Sequence, residues 1–235
     1  GAGAVIGLTL VHDRAYVLTA ATDGCCAIWT ATQGRQALTP VTRIDVAPSD
    51  RTRLYADSQG RIWLYALNET LLWQFDSRTS IWTDATEALP LDSAMMTTLI
   101  DDGDGNLWMG TGNRGICILD AQGTFSIMQQ DDGAPFQLVD NHINCFFRDS
   151  ETATMWVGTS KQGVVFCNPS ITSVSISHMP DNDDVSCLDV DPDGRLWMGF
   201  DSQGAASVAE GYLPPAVLRL QSFLTRLTTR HGGLS

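Results

Sequence analysis

The apolar residues of this chain come in short runs. The runs are four to seven residues long and are broken by Gly, Asp and Asn, without the long three-and-four spacing of a helix. Such runs predict strands joined by tight turns. In one stretch, strands are predicted at 94–100, 106–110, 116–119 and 124–128, with an acidic turn at 101–105. This is the pattern of a four-stranded antiparallel meander.

The same unit recurs along the chain. Each copy places an acidic turn before a tryptophan, with turn acids Asp57, Asp102, Asp149 and Asp191, turn glycines Gly60, Gly105 and Gly194, and tryptophans Trp63, Trp108, Trp156 and Trp197. The successive tryptophans are 45, 48 and 41 residues apart. A four-stranded propeller blade repeats every ~40–50 residues. The sequence therefore predicts an all-β protein, a β-propeller of four-stranded antiparallel blades stacked around an axis.

The repeat also sets the expected domain boundaries. Blades are predicted at 43–91, 92–138 and 139–182, with an incomplete blade at 183–204 after which no third strand is expected. Trp29 lies only 34 residues before Trp63, so residues 1–42 are interpreted as a partial or degenerate blade. Together these segments make a partial ring of about four to five blades. Either the chain is a piece of a larger protein, or it is a short ring with a distorted closing blade.

Residues 205–235 differ in composition from the repeats. They have no acid beyond Glu210 and contain Arg219, Arg226 and Arg230. The segment 216–229 could form a basic amphipathic helix that binds a membrane surface or a partner. A divergent tail unrelated to function is the favoured interpretation.

Charge and cysteine content narrow the function. The formal charge of −13 disfavours nucleic acid and anionic membranes as partners of the blades, since the field of the protein opposes them. The six cysteines have neither a CxxC nor a zinc spacing, and their redox state stays open. Cys145 and Cys187 hold the place in their first strands that Thr98 holds in another copy. Packing of a small side chain is favoured there over a disulfide.

The string DGDGNLWMGTGNRG at 102–115 resembles the two-component regulator propeller repeat, and the resemblance extends over 43–204. In Bacteroides-type bacteria such repeats build the extracytoplasmic sensor of hybrid two-component systems, which detect oligosaccharides and regulate glycan-utilisation genes. The resemblance implies a periplasmic, non-enzymatic segment, with any histidine kinase elsewhere in the protein. The implied partners are an oligosaccharide or other small ligand, and the remaining blades and signalling domains. A homodimer is left open.

Propeller topology gives a candidate binding face. Loops between second and third strands, and connectors between blades, open on the same side of a propeller. The hydrogen-bonding residues predicted there are Asn113, Arg114, Asn141, His142, Lys161 and Gln162. The repeated tryptophans are expected to be blade-to-blade core and not sugar-stacking platforms. Trp73 and Trp82, outside that register, are better candidates for exposure.

Metal and cofactor sites are not expected. The acids at 189, 191 and 193 fit the start of a calcium loop, but Phe200 stands where a bidentate Glu is required, so a structural turn is favoured. The four histidines His12, His142, His178 and His231 propose neither a triad nor a metal site. Two alternatives to a sensor remain, a propeller enzyme of the streptogramin lyase or lactonase type and a protein-binding scaffold.

Overall fold

A computed structural model of the chain describes residues 3–32, 37–91, 94–130, 138–168, 173–177, 184–191, 195–201, 204–208 and 225–227. Every secondary-structure element within these ranges is a strand, and the strands form five four-stranded antiparallel sheets. This confirms the predicted all-β propeller fold with four-stranded blades. None of the described residues belongs to a helix long and apolar enough to cross a membrane.

The sheets, named blades 1 to 5, follow one another along the chain. Blade 1 has β1 (Val5–Val11), β2 (Arg14–Ala20), β3 (Cys26–Thr32) and β4 (Thr39–Ile44). Blade 2 has β5 (Thr52–Ala56), β6 (Ile62–Ala66), β7 (Leu72–Asp76) and β8 (Ile81–Asp84). Blade 3 has β9 (Met96–Asp101), β10 (Leu107–Thr111), β11 (Ile116–Leu119) and β12 (Phe125–Met128). Blade 4 has β13 (Ile143–Arg148), β14 (Met155–Thr159), β15 (Val164–Asn168) and β16 (Ser173–Ser177). Blade 5 has β17 (Val185–Val190), β18 (Leu196–Phe200), β19 (Gly204–Val208) and β20 (Thr225–Leu227).

Neighbouring blades pack face to face. We call the side of a blade that packs on the next blade its trailing face, and the side that packs on the preceding blade its leading face. In blades 2, 3 and 4 the repeat tryptophan lies on the trailing face, and Trp63, Trp108 and Trp156 are only 0–8% exposed. The leading face of the next blade is mostly aliphatic, as with Leu107 and Met109 opposite Trp63. First strands of successive blades contact each other, β9 with β13 and β13 with β17, so they lie nearest the axis.

The acidic turn and the tryptophan form one hydrogen-bonded unit. Oδ1 of Asp57 accepts from the backbone of Gln59 (3.0 Å) and Arg61 (2.9 Å), and Oδ2 accepts from Nε1 of Trp63 (2.8 Å). Gly60 completes this turn at φ +76°, where a side chain would be strained. The carboxylate is thus committed to the turn and the neighbouring strand, which is a structural role.

The other copies repeat this arrangement with small changes. Trp108 donates to Asp102 (3.3 Å), and Trp197 donates to Asp191 (2.8 Å). Gly105 holds φ +98°, whereas Gly194 lies outside the described residues.

The degenerate copy, before Trp156, forms its turn with different residues. At Asp149 the hydroxyl of Thr152 donates to Oδ2 at 2.6 Å, and Ala153 takes the positive φ (+56°) that glycine takes elsewhere. Burial raises the pKa of Asp149, but hydrogen bonds from Thr152 and Glu151 outweigh burial and hold this pKa below its ordinary value.

Glycine follows the tryptophan by two residues in blades 3 to 5 for a steric reason. Gly158 pairs directly with Cys145 across the sheet, and a Cβ added to Gly158 would lie 2.6 Å from the Cys145 sulfur. The pairs Gly110 with Thr98 and Gly199 with Cys187 give 2.6 and 2.5 Å. The first-strand side chain at this position, which the sequence predicted to be crowded, therefore fills the space that the glycine opposite it on the second strand leaves free.

Blade 1 corrects the expectation of a partial N-terminal blade at 1–42, since residues 5–44 form four paired strands. The tryptophan spacing was misleading because Trp29 lies on β3, whereas the repeat tryptophans lie on second strands. A two-residue turn at His12 and Asp13 also replaces the longer acidic turn of the other blades.

Blade 5 corrects the expectation that the last blade at 183–204 is incomplete. Residues 204–208 form the third strand, built from small side chains that the sequence pattern did not mark. Strand pairing uses backbone groups, so Gly204 and Ala205 pair with β18 as larger residues would. Within the proposed helix 216–229, residues 225–227 form β20, and the rest lies outside the described residues.

Candidate functional site

The candidate site lies at one end of the blades, which we call the mouth face. It is formed by the loops joining second to third strands and by the connectors that lead into each first strand. In blades 3 and 4 these are the loops 111–115 and 159–163 and the connector 138–142. The acidic turns lie at the opposite end, which we call the turn face.

The loop of blade 3 is closed by the threonine of its Gly-Thr step. The hydroxyl of Thr111 donates to the carbonyl of Gly115 (2.9 Å) and accepts from the backbone amide of Arg114 (2.8 Å). These two hydrogen bonds fix the loop backbone. Asn113 is exposed at the tip of the loop, and Arg114 is half-buried beside it.

The loop of blade 4 has the same bonds. Thr159 donates to the carbonyl of Gly163 (2.8 Å) and accepts from the amide of Gln162 (3.3 Å). Lys161 therefore stands where Asn113 stands in blade 3, exposed at the tip, and Gln162 is half-buried in the place of Arg114.

Asn141 ties the blade 3 loop to the connector of blade 4. Its carbonyl accepts from the amide of Gly115 (2.8 Å), and its side-chain Oδ1 accepts from the amide of Gln130 (2.7 Å). Its backbone carbonyl and side-chain oxygen thus each hold neighbouring backbone in place.

Asp140 does the same within blade 4. One carboxylate oxygen accepts from the amide of His142 (2.9 Å) and the other from the amide of Lys161 (3.0 Å), while the carbonyl of His142 accepts from Ser160 (3.0 Å). The backbones of His142 and Lys161 are fixed, and both side chains are exposed at the mouth face.

The structure thus brings the six predicted residues to one face, where hydrogen bonds of their loops and connector hold the backbone in place. Sequence reasoning gave no site role to Asp140, to the two loop-closing threonines, or to the bond from the Ser160 hydroxyl to Asp184 (3.1 Å) that joins blades 4 and 5. The Gly-Thr step after the tryptophan was the available signal for the threonines. Much of the interblade connectors at 130–142 and 179–184, and of the blade 5 loop at 201–203, lies outside the described residues.

Both faces carry charged residues. The repeat acids Asp57, Asp102, Asp149 and Asp191 lie at the turn face, where their oxygens accept turn hydrogen bonds. The mouth face carries Arg114, Lys161 and His142 together with the acids Asp140 and Asp184. Trp73 and Trp82, favoured by sequence for exposure, are half-buried between blades 1 and 2.

Comparison with known families identifies the repeat. Residues 90–113 and 137–161 match the family described as two component regulator propeller. These two segments resemble the repeat of that family. Asn113, Asn141, His142 and Lys161 lie inside the matched segments, and Arg114 and Gln162 lie one residue beyond them.

Solved structures show the same fold at low sequence identity. The extracellular domain of the putative hybrid two component system BT4673 from B. thetaiotaomicron matches with TM-score 0.65 and 18% identity, over 98% of this chain and 28% of that one. That of BT3049 from the same organism gives 0.58 and 19%, over 90% and 29%. Virginiamycin B lyase from Staphylococcus aureus gives 0.62 and 12%, over 88% and 67%. No curated protein matches the chain. The chain spans less than a third of the two solved extracellular domains.

Proposed function

We propose that this propeller is the extracytoplasmic, periplasmic sensor segment of a hybrid two-component signalling protein and binds oligosaccharides at the mouth face. The observation that carries the proposal is the regulator propeller match, whose two segments include both loop tips and the connector between them. The similarity in fold to extracellular domains of two putative hybrid two component systems points the same way.

The chemistry of the mouth face suits a neutral polyhydroxylated ligand. Asn113, Lys161 and His142 offer exposed donors on rigid backbone, and sugar hydroxyls accept such bonds. Rigid placement lowers the ordering cost of binding. The ligand would bridge loops of blades 3 and 4, which belong to separate sheets.

A ligand that contacts two blades can transmit a signal by changing how the blades are arranged. The mouth-face bonds Gly115 to Asn141 and Ser160 to Asp184 each join one blade to the next. A ligand spanning two blades favours the blade arrangement that it fits best, and its differential affinity sets the size of the shift. The segment needs no catalysis for this role.

The test is calorimetric titration of the complete protein with a panel of glycan fragments. For a fragment that binds, we expect Lys161→Ala and Asn113→Ala each to weaken binding about tenfold, the loss of one or two hydrogen bonds. Arg78→Ala is the matched control, because Arg78 is exposed in a hairpin at the turn face. The proposal fails if no fragment binds, or if the control weakens binding as much as the mouth-face variants do.

A lyase function is the second candidate, favoured by the similarity to virginiamycin B lyase and by the exposed imidazole of His142 at the mouth face. Turnover of a cyclic streptogramin, abolished by His142→Ala and unaffected by Arg78→Ala, would establish it. Glycan binding without turnover would favour the sensor.

A further inference from the structure

One hydrogen bond recurs at the mouth end of all five blades. In each blade an amide at or just after the end of the second strand donates to the carbonyl of the residue immediately before the first strand, at 2.8–3.2 Å. This bond makes the accepting residues structurally equivalent, although their side chains differ. We call them the mouth ring, and its members in blades 1 to 5 are Ala4, Arg51, Met95, His142 and Asp184.

The mouth ring lies beside the axis. First strands are the strands nearest the axis, as the contact of β9 with β13 shows, and each ring residue directly precedes one of them. The loop tips at Asn113 and Lys161 lie farther out, because they join second to third strands. The side chains of Arg51 and His142 are exposed, and that of Asp184 is half-buried. The ring therefore presents side chains to solvent at the inner edge of the mouth face.

Met95 is the large apolar member of the ring, and it is 54% exposed. Its carbonyl accepts from the amide of Gly112 in the blade 3 loop (3.0 Å). The next residue, Met96, is bonded to the blade 2 loop, accepting from the amide of Asn68 (2.7 Å) and donating to the carbonyl of Glu69 (3.1 Å). Because the backbone is tied to the loops of two blades, the thioether side chain is held at the mouth face.

The space beside Met95 is open. A Cβ added to Gly112 would meet one atom within 4 Å, the carbonyl oxygen of Met95. A bound molecule can therefore come into contact with this part of the ring without displacing a side chain of the described residues.

We propose that the mouth ring is the floor of the oligosaccharide site, and that a neutral sugar chain lies across it with the C–H face of one pyranose ring on Met95. This inference rests on the proposed function. A pyranose has hydroxyls at its edge and an apolar C–H face, so it needs apolar surface and hydrogen-bonding groups side by side. The ring offers both, since Arg51 and His142 flank Met95 in the neighbouring blades.

The polar members of the ring have complementary roles. Arg51 offers guanidinium donors to sugar hydroxyls, and the carboxylate of Asp184 accepts from them. That carboxylate is already oriented, because Oδ2 of Asp184 accepts from the hydroxyl of Ser160 (3.1 Å). A sugar chain on the ring touches blades 2 to 5, so its affinity depends on how these four sheets are arranged.

The first test follows Met95 directly in the complete, unsubstituted protein. Hydroxyl radicals oxidise exposed thioethers, and peptide fragmentation reports each methionine separately. With a panel of neutral oligosaccharides, we expect at least one to slow oxidation of Met95 by about threefold or more at saturation, since a covered site reacts only when it opens. Met128, half-buried on the outermost strand of blade 3, is the control and should be oxidised at an unchanged rate.

The second test is calorimetric titration with the same oligosaccharides. We expect Met95→Ala to weaken binding about fivefold through lost apolar contact, and Arg51→Ala about tenfold through lost hydrogen bonds. Met95→Leu keeps a similar apolar volume and should bind within about twofold of the unsubstituted protein. The matched controls Ile81→Ala and Arg78→Ala, both exposed in the outer hairpin of blade 2, should leave binding unchanged.

Two results would overturn the proposal in different ways. Binding that Lys161→Ala weakens, but that Met95→Ala and Arg51→Ala leave unchanged while Met95 is oxidised at its free rate, would overturn the mouth ring and leave the proposed function standing. A complete absence of oligosaccharide binding would overturn both.

Discussion

Nε1 of the Trp63 indole donates a hydrogen bond of 2.8 Å to Oδ2 of Asp57, and both side chains are buried. Arg61 donates to the same oxygen and also reaches the carbonyl of Gly105 in the next blade (2.8 Å). The Asp and Trp that define the repeat are therefore one contact, which locks the turn to the strand and, through Arg61, to the neighbouring blade. The two residues are six positions apart in the sequence because the turn between them brings the carboxylate and the indole within hydrogen-bonding distance.

Removal of the carboxylate should be costly. Asp57→Ala leaves the buried indole N–H and the turn amides without their acceptor, and we expect a loss of about 2–4 kcal/mol in the free energy of unfolding. Urea denaturation followed by tryptophan fluorescence measures it. Asp13→Ala, at the exposed turn of the corresponding hairpin of blade 1, is the control and should change stability by less than about 0.5 kcal/mol. A loss no larger than that of the control would show that the contact contributes nothing.

The glycine opposite Cys145 should not tolerate a methyl group. In Gly158→Ala the new Cβ would lie 2.6 Å from the Cys145 sulfur and 3.0 Å from Val185 of the next blade, and we expect a loss of about 1–3 kcal/mol. Gly112→Ala is the matched control, since its Cβ would meet only one atom, at 4.0 Å. Thermal unfolding compares the two. Partial rescue of Gly158→Ala by Cys145→Ala would confirm the steric cause, whereas failure of rescue would place the strain elsewhere.

Blades 2 and 3 are joined by a bond whose effect depends on pH. The Tyr55 hydroxyl donates to Asp101 (2.6 Å). Burial raises the pKa of Asp101, but hydrogen bonds from Ser58 and Tyr55 outweigh burial and hold it below the ordinary value of 3.8. A lowered folded-state pKa gives stability above pH 3.8 that is lost as pH falls through the lower folded value.

Tyr55→Phe should therefore destabilise the protein at neutral pH by about 1–2 kcal/mol and should reduce the stability lost on acidification. Urea denaturation at about pH 6 and about pH 3 measures both effects. Tyr16→Phe, whose ring packs on Phe75 between blades 1 and 2, is the control for loss of a tyrosine hydroxyl. An unchanged acid dependence in Tyr55→Phe would show that the bond does not set the pKa of Asp101.

Two cysteine thiols should be inert in the folded protein. Burial raises the pKa of Cys117 to about 12 and that of Cys145, with a smaller effect of neighbouring Cys187, also to about 12. Only the thiolate reacts, so iodoacetamide at about pH 8 should modify exposed Cys187 first and the other two only on unfolding. Peptide mass spectrometry over time gives the order. Early modification of Cys117 would contradict its burial.

Much of the fold could be predicted because the repeat is local chemistry. The acidic turn, the glycine with positive φ and the tryptophan lie within seven residues, and their hydrogen bonds depend on little beyond that segment. The missed elements depend on distant partners. Blade 1 has its tryptophan on the third strand, and the small residues of β19 form a strand because β18 pairs with them.

The candidate site likewise has features that the sequence could predict and features that it could not. Topology alone placed Asn113 and Lys161 at one end of the blades, since loop positions follow from strand order. The clamp by Asp140 and Asn141 could not be predicted, because it joins residues up to 26 positions apart in neighbouring blades.

By itself the sequence determined the architecture of this protein, because short-range turn and strand preferences repeat with a blade's period. Only the tertiary structure decided which residues share an environment, namely the glycines beneath Thr98 and Cys145, the loops tied at the mouth face, and the equivalent residues of the mouth ring. Those relationships are set by packing between sheets, in which partners distant along the chain compete for the same volume, and no local pattern encodes that competition.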